Sequence, residues 1–462
     1  MGTILAAALL LSLQSDPRDR LLEAVRESRV DETQKILADL AMGDGGRAAR
    51  AVIAALPKAR ERLNVLVLAS LRARENYEST DTSFGFNIKE EQVKQRSLEM
   101  AAGRIRETVA QVVEGEKVYQ SLLDIFGFLK PEAVPVLDAE AERTGQWLLK
   151  CEVLEGLGAM GAKASLSAAI DRETSPIFLA TALAATPTDR GVDYLSHPQW
   201  QVRLAALDGL RRSRAAVGPI VASLSQPDRR YRKAAAAALF RLTETELPPD
   251  PDIWGDWWKA NRDDYERGAY SPVAPKLPEG PGRTVAFYDI PVHSTRICFV
   301  IDRSRSMRDQ GRFDGAKREL KHILETLPDG SIFNILFFGG SSTSLTKYPR
   351  ALDAATRRGA IDYVDRMGLE SGTDLYGALE KSLLMVGNPD SGRLFDEGVD
   401  TIVVLSDGQA TMGKVIDDEL IARIISRRAR YLRPVFHTVS LSSDSKSLKL
   451  LADRSGGEYR AK

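Results

Sequence analysis

Asp302, Ser304 and Ser306 stand at alternate positions directly after the apolar run Ile297-Cys298-Phe299-Val300-Ile301. A carboxylate and two hydroxyls in that spacing are hard oxygen donors, the kind a small divalent cation takes. Ser371-Gly372-Thr373-Asp374 adds another hydroxyl on a glycine loop, and Thr401-Ile402-Val403-Val404-Leu405-Ser406 runs into Asp407-Gly408. The chemistry these residues offer is cation binding with few formal charges. Other chemistries lack their residues: the four histidines are scattered, and neither a Ser-His-Asp order nor a supported cysteine nucleophile is present.

Such donors need elements that bring them to one place. An apolar run without alternation reads as a strand buried on both faces, and open α/β sheets bind ligands at the carboxyl ends of their strands. Helices are expected at Phe313–Leu327, Arg357–Met367, Leu375–Met385, Asp417–Leu432 and Lys446–Asp453. Strands are expected at Ser331–Phe338, Thr401–Ser406, Val435–Leu441 and Gly457–Arg460. A strand over Thr284–Ile290 is expected to form a hairpin with the strand ending at Asp302. This alternation predicts a doubly wound, mostly parallel sheet.

The order Asp302-x-Ser304-x-Ser306, then Thr373, then Asp407 resembles the metal-ion-dependent adhesion site of von Willebrand factor type A (vWA) domains. The resemblance covers residues 285–462. It implies a cation, Mg²⁺ or else Mn²⁺ or Ca²⁺, held by Ser304, Ser306 and Thr373, with Asp302 and Asp407 acting partly through water. It further implies one open position for an aspartate or glutamate of a protein ligand. Arg305 departs from the glycine that bacterial-type members commonly place between the two serines. With Arg303, Arg308 and Arg312 it is expected to give the rim positive charge that steers an anionic partner, or else merely to solvate the loop. Adhesion-type members carry a closing helix after the last strand. Here the sequence ends at the expected last strand, so a site of fixed affinity without a sliding-helix switch is expected.

The 462 residues allow two or three domains. Lys plus Arg and Asp plus Glu are 64 each, without the basic excess of a nucleic-acid binder. The two cysteines, Cys151 and Cys298, lie in apolar contexts and read as buried thiols. Residues 1–15 read as a signal peptide, which would place the chain in an exported compartment: periplasmic, cell-surface or secreted. If that segment is retained, the cytoplasm is expected instead. The apolar run is too short to span a bilayer in the mature chain.

Helical spacing of apolar residues predicts a hairpin or coiled-coil region over 16–130. A loose repeat over 131–247, anchored at Trp147, Ile177, Val202 and Tyr231, resembles HEAT-like helical repeats, which usually hold protein partners. Over 248–284 a helix with Trp254, Trp257 and Trp258 on one face is expected to cap the stack, followed by a proline-rich linker. The fold class is thus multidomain: an all-α, repeat-like amino-terminal region and a carboxy-terminal α/β domain over 285–462.

A non-enzymatic scaffold is expected, binding an acidic ligand residue through Mg²⁺, with a second protein partner on the repeats. Two alternatives stand beside it: a Mg²⁺-dependent phosphotransferase-like hydrolase, and a structural vWA domain with an empty metal site. Family members in the cytosol also serve as subunits of larger machines, including metal chelatases and ATPase-associated complexes.

Overall fold

The computed structural model describes residues 16–81, 88–272, 286–387, 398–442 and 445–462. The expected signal peptide, most of the loop Ser79–Phe86 and most of the proline linker lie outside them. The chain divides into two compact units, one through Asp171 and one from Arg172. The division falls at the end of a helix inside the 131–247 block.

The first unit is all helix: α1 Pro17–Glu27, α2 Val30–Met42, α3 Gly45–Asp81, α4 Ile88–Asp124, α5 Val134–Arg143, α6 Trp147–Ala159 and α7 Lys163–Arg172. Helices α3 and α4 have 37 residues each and pack together, a pair about 55 Å long at 1.5 Å per residue. Gly115 of α4 lies against Leu63 and Leu66 of α3, where a Cβ would meet Leu63 at 2.9 Å, and both helices bury further residues, Leu56 on α3 and Val112 and Leu122 on α4. Glu152, wholly buried on α6, is held by Arg60 of α3 and Tyr119 of α4. Burying that carboxylate is tolerable because both partners reach it.

The second unit begins with helices α8 Pro176–Ala185, α9 Trp200–Gly209, α10 Val217–Ser223, α11 Arg229–Thr243 and α12 Pro251–Glu266. Helices α9 to α12 share a core that includes Leu207, Val217, Ile220, Tyr231, Leu239 and Trp254. Trp254 is fully buried, and the Trp258 ring lies against Gly218, where a Cβ would meet it at 3.1 Å. The tryptophan face of α12 therefore packs on the core and is not laid out as an open platform.

The rest of this unit is the α/β region. Its strands are β1 Ala286–Phe287, β2 Ile290–Pro291, β3 Arg296–Asp302, β4 Ile332–Phe338, β5 Ser342–Ser344, β6 Arg350–Ala351, β7 Thr401–Ser406, β8 Val435–Ser440 and β9 Tyr459–Ala461. Its helices are α13 Arg312–Thr326, α14 Ala354–Arg366, α15 Leu375–Val386, α16 Asp418–Leu432 and α17 Lys446–Ser455. The main sheet has the order β5-β4-β3-β7-β8-β9, with β6 also on β4. Strands β4, β3, β7, β8 and β9 run parallel, while β5 and β6 are antiparallel edges.

Strand β3 is central, paired with β4 on one side and β7 on the other. That explains its unbroken apolar run: Ile297, Phe299 and Ile301 enter the core shared with α13 and α14. The opposite face of the sheet carries α15, where Asn334 of β4 reaches Met385. The register Ile301↔Leu405 sets the end of β3 beside the end of β7, so Asp302 and Asp407 emerge on one edge.

One expectation is corrected. The segment before β3 does not pair with it; β1 and β2 pair with each other in a separate two-stranded sheet. Tyr288 and Asp289 make the two-residue turn with φ of 49° and 64°, the left-handed pair that closes a tight hairpin. The closed hairpin packs Phe287 and Ile290 onto the β3 core and leaves β3 free for β4 and β7.

Candidate metal centre

Asp302 ends β3 with no exposed surface. Its Oδ1 accepts from the Ser304 backbone N–H at 2.7 Å and its Oδ2 from Ser406 Oγ at 2.5 Å. The turn this creates brings Ser304 Oγ to 3.0 Å from Ser306 Oγ. Ser306 Oγ donates to Asp407 Oδ1 at 2.9 Å. Asp302, Ser304, Ser306 and Asp407 thus form one continuous line of contacts, built from the ends of β3 and β7.

Thr373 sits on the adjoining loop, which is tied down from three directions. The Glu370 N–H donates to Arg303 C=O at 2.7 Å, in a bridge between Ser304 and Glu370. The Asp374 N–H donates to Gly339 C=O at 2.8 Å. Thr411, beyond β7, accepts from the Thr373 N–H at 3.0 Å and returns its own N–H to Thr373 C=O at 3.0 Å. Gly372 is required here: its φ is +83°, and a Cβ would come within 2.1 Å of Met412 Sδ. Asp374 then caps α15 by accepting from the Gly377 N–H at 2.8 Å. These bonds engage the backbone of Thr373 and leave its hydroxyl without a hydrogen-bond partner among the described residues.

Asp302, Ser304, Thr373 and Asp407 are buried, and Ser306 is exposed. Burial pushes the Asp302 carboxyl up to about 6; the hydrogen bonds from Ser406 and Ser304 oppose this, and the nearby Asp407 charge adds to it. Two carboxylates buried this close leave negative charge that a cation would neutralise. The donors fit a hard divalent ion: they are all oxygens, three of the five are hydroxyls, and a hydroxyl can donate to a carboxylate while its lone pair faces a metal. No cluster of three or more His, Cys, Asp or Glu side chains suited to a metal exists among the described residues, so a cation here would depend on the hydroxyls.

The arginine rim differs from expectation. Arg303 pairs with Glu370 at 2.5 Å, and Arg312 donates to Asp407 Oδ2 at 3.2 Å from a largely buried side chain. Only Arg305 and Arg308 are exposed and without a charged partner among the described residues. Sequence reasoning missed Ser406 and Thr411, and it named Arg312 as a rim charge without its bond to Asp407. Ser406 is a hydroxyl at the end of an apolar strand beside a donor, a signal that was present; Thr411 and Arg312 act across long separations that no local pattern marks.

A sequence model of the von Willebrand factor type A domain matches residues 124–214 and 295–461, together more than half of the chain, and the chain belongs to that family. The second segment spans the sheet from β3 to β9. Among solved structures, a von Willebrand factor type A protein from Catenulispora acidiphila is 19% identical, with 37% of this chain and 40% of that one covered and a TM-score of 0.30. Proximal thread matrix protein 1 from the mussel byssus, solved with a zinc-occupied MIDAS motif, is 15% identical over 36% of this chain and 40% of its own, with a TM-score of 0.28. The ArnB paralog VWA2 from Sulfolobus acidocaldarius is 19% identical over 36% and 40%, with a TM-score of 0.25. The chain thus spans about 40% of the length of these structures. A comparison with curated proteins returns no match.

Proposed function

We propose that the chain is a non-enzymatic protein-binding scaffold whose vWA domain takes an aspartate or glutamate of a partner through a divalent cation, Mg²⁺ in the first instance. Domains of this family mediate protein–protein interactions. The observation that carries the reading is the line Asp302–Ser304–Ser306–Asp407, buried except at Ser306. A cation there would supply a Lewis-acidic position facing solvent, with Ser304, Ser306 and Thr373 as direct ligands and the two carboxylates orienting the serine hydroxyls. Arg305 and Arg308, exposed beside it, favour an anionic partner.

The hydrolase alternative fares worse. A nucleophilic Asp302 would need a free carboxylate oxygen, and both of its oxygens are buried and hydrogen-bonded. A phosphatase screen in Mg²⁺ checks this directly.

An exported location and a second protein partner on the helices of 131–247 complete the proposal. No described helix is long and apolar enough to cross a membrane. Calorimetry with Mg²⁺ on wild type and Asp302→Ala tests the site, and equal heats for both proteins would defeat it. Capture of a partner with and without EDTA tests the use made of it.

A further inference from the structure

Arg312 is the first residue of α13. A cation at a helix amino terminus opposes the helix dipole, so the position is unfavourable for arginine on local grounds. Its side chain nevertheless turns inward, largely buried, and donates from Nη1 to Asp407 Oδ2 at 3.2 Å; its Nε is buried with no hydrogen-bond partner among the described residues. The other oxygen of Asp407 accepts from Ser306, so the one carboxylate is shared between the donor line and the guanidinium.

We infer that Arg312 is a built-in counter-cation that sets the affinity of the metal site, an inference that rests on the metal reading above. Two aspartates give the pocket a double negative charge, and the guanidinium offsets half of it before any ion arrives. A divalent ion entering the pocket meets that positive charge close to its own, across a partly buried path where screening is weak. Arg312 therefore lowers metal affinity while keeping Asp407 paired and the loop folded when the ion is absent.

The test is Mn²⁺ titration by calorimetry on the full chain: wild type, the neutral variants Arg312→Gln and Arg312→Met, and the charge-retaining Arg312→Lys. Folding of each is checked by near-ultraviolet circular dichroism. The neutral variants are expected to bind Mn²⁺ at least tenfold more tightly than wild type, and Arg312→Lys within about threefold of it. If wild type binds and the folded neutral variants are unchanged or weaker, the inference is wrong while the metal reading stands. Should either neutral variant lose its fold, the other decides. If both unfold, so that Asp407 needs the arginine merely to fold, the tuning role is wrong too. Absence of Mn²⁺ binding in every protein, wild type included, removes the metal reading and this inference together.

Discussion

Ser306 Oγ donates to Asp407 Oδ1 at 2.9 Å, joining residues 101 positions apart at the single exposed point of the donor line. Ser306 closes the gap between the β3 turn and the end of β7. Replacing it with alanine removes one donor and leaves Asp407 Oδ1 short of a partner, a loss of about 1–2 kcal/mol in stability. Ser306→Ala should remain folded, lose that amount in urea denaturation, and bind Mg²⁺ at least tenfold more weakly. Unchanged metal affinity would show that the serine is structural only.

Asp302 gives the site a pH dependence. Its carboxyl titrates near 6 in the folded chain against an ordinary 3.8, so between those values the folded state holds the proton more tightly than the unfolded one. The ionised form therefore costs stability above pH 6, and that cost is relieved as pH falls from 6 to 3.8. A metal ion competes with this proton. Mg²⁺ affinity should be flat above pH 7 and fall about tenfold per unit below 6, read by calorimetry at pH 7.5 and 5. An unaltered affinity across that range would contradict ionised Asp302 as a participant.

His437 makes the opposite prediction for stability. It lies buried in β8, accepts from the Glu458 N–H at 3.1 Å through Nδ1, and is pushed down to about 4 by burial and then by Lys233. With the folded value depressed below 6.5, its contribution is fully present above that pH and is lost as pH falls toward 4. The span corresponds to ~3 kcal/mol at most. Since Asp302 acts with the other sign, the two are separated by comparing wild type with His437→Gln. The variant should lose less stability than wild type on acidification from pH 7 to 4.5, and parallel curves would exclude the histidine.

Arg230 on α11 is the most buried of the polar ties between the α8–α12 helices and the sheet, beside Arg433–Asp208 and Lys233–Glu458. It donates to Asp400 C=O at 2.9 Å and Arg433 C=O at 2.6 Å, with Asp400 Oδ2 at 3.6 Å. Asp400 is itself buried, accepting from Ser294 at 2.6 Å and Thr401 at 2.7 Å. Arg230→Ala removes one member of a buried charge pair and should cost about 3–5 kcal/mol. Thermal unfolding, together with limited proteolysis between α12 and β1, reads the effect. A loss below 1 kcal/mol would mean that the remaining contacts, the Arg433–Asp208 and Lys233–Glu458 pairs among them, suffice to join the two parts.

The sheet and its donors were legible because burial on both faces disfavours polar residues within a strand, leaving few of them in these runs. Ile297–Ile301 and Thr401–Leu405 therefore announce themselves, and the polar residue ending each run marks the ligand edge. The edge strands β5 and β6 were not legible: Ser342–Ser344 is short and half-buried, Arg350–Ala351 is short and exposed, and only pairing with β4 makes them strands. The β1–β2 hairpin was misread because Tyr288-Asp289 lacks the Asn-Gly or Asp-Gly signature of its turn. Within the site the five oxygens were readable as a motif, while Arg312 looked like one more rim charge. Its inward turn depends on a carboxylate 95 residues away, just past the end of β7, which no local spacing could reveal.

The most direct measurement is the anomalous difference density of crystals of the full chain grown in Mn²⁺. The account predicts one strong peak bounded by the hydroxyls of Ser304, Ser306 and Thr373, with Asp302 and Asp407 behind it. A pocket without a peak at saturating Mn²⁺, or a peak that Thr373 does not border, would contradict it.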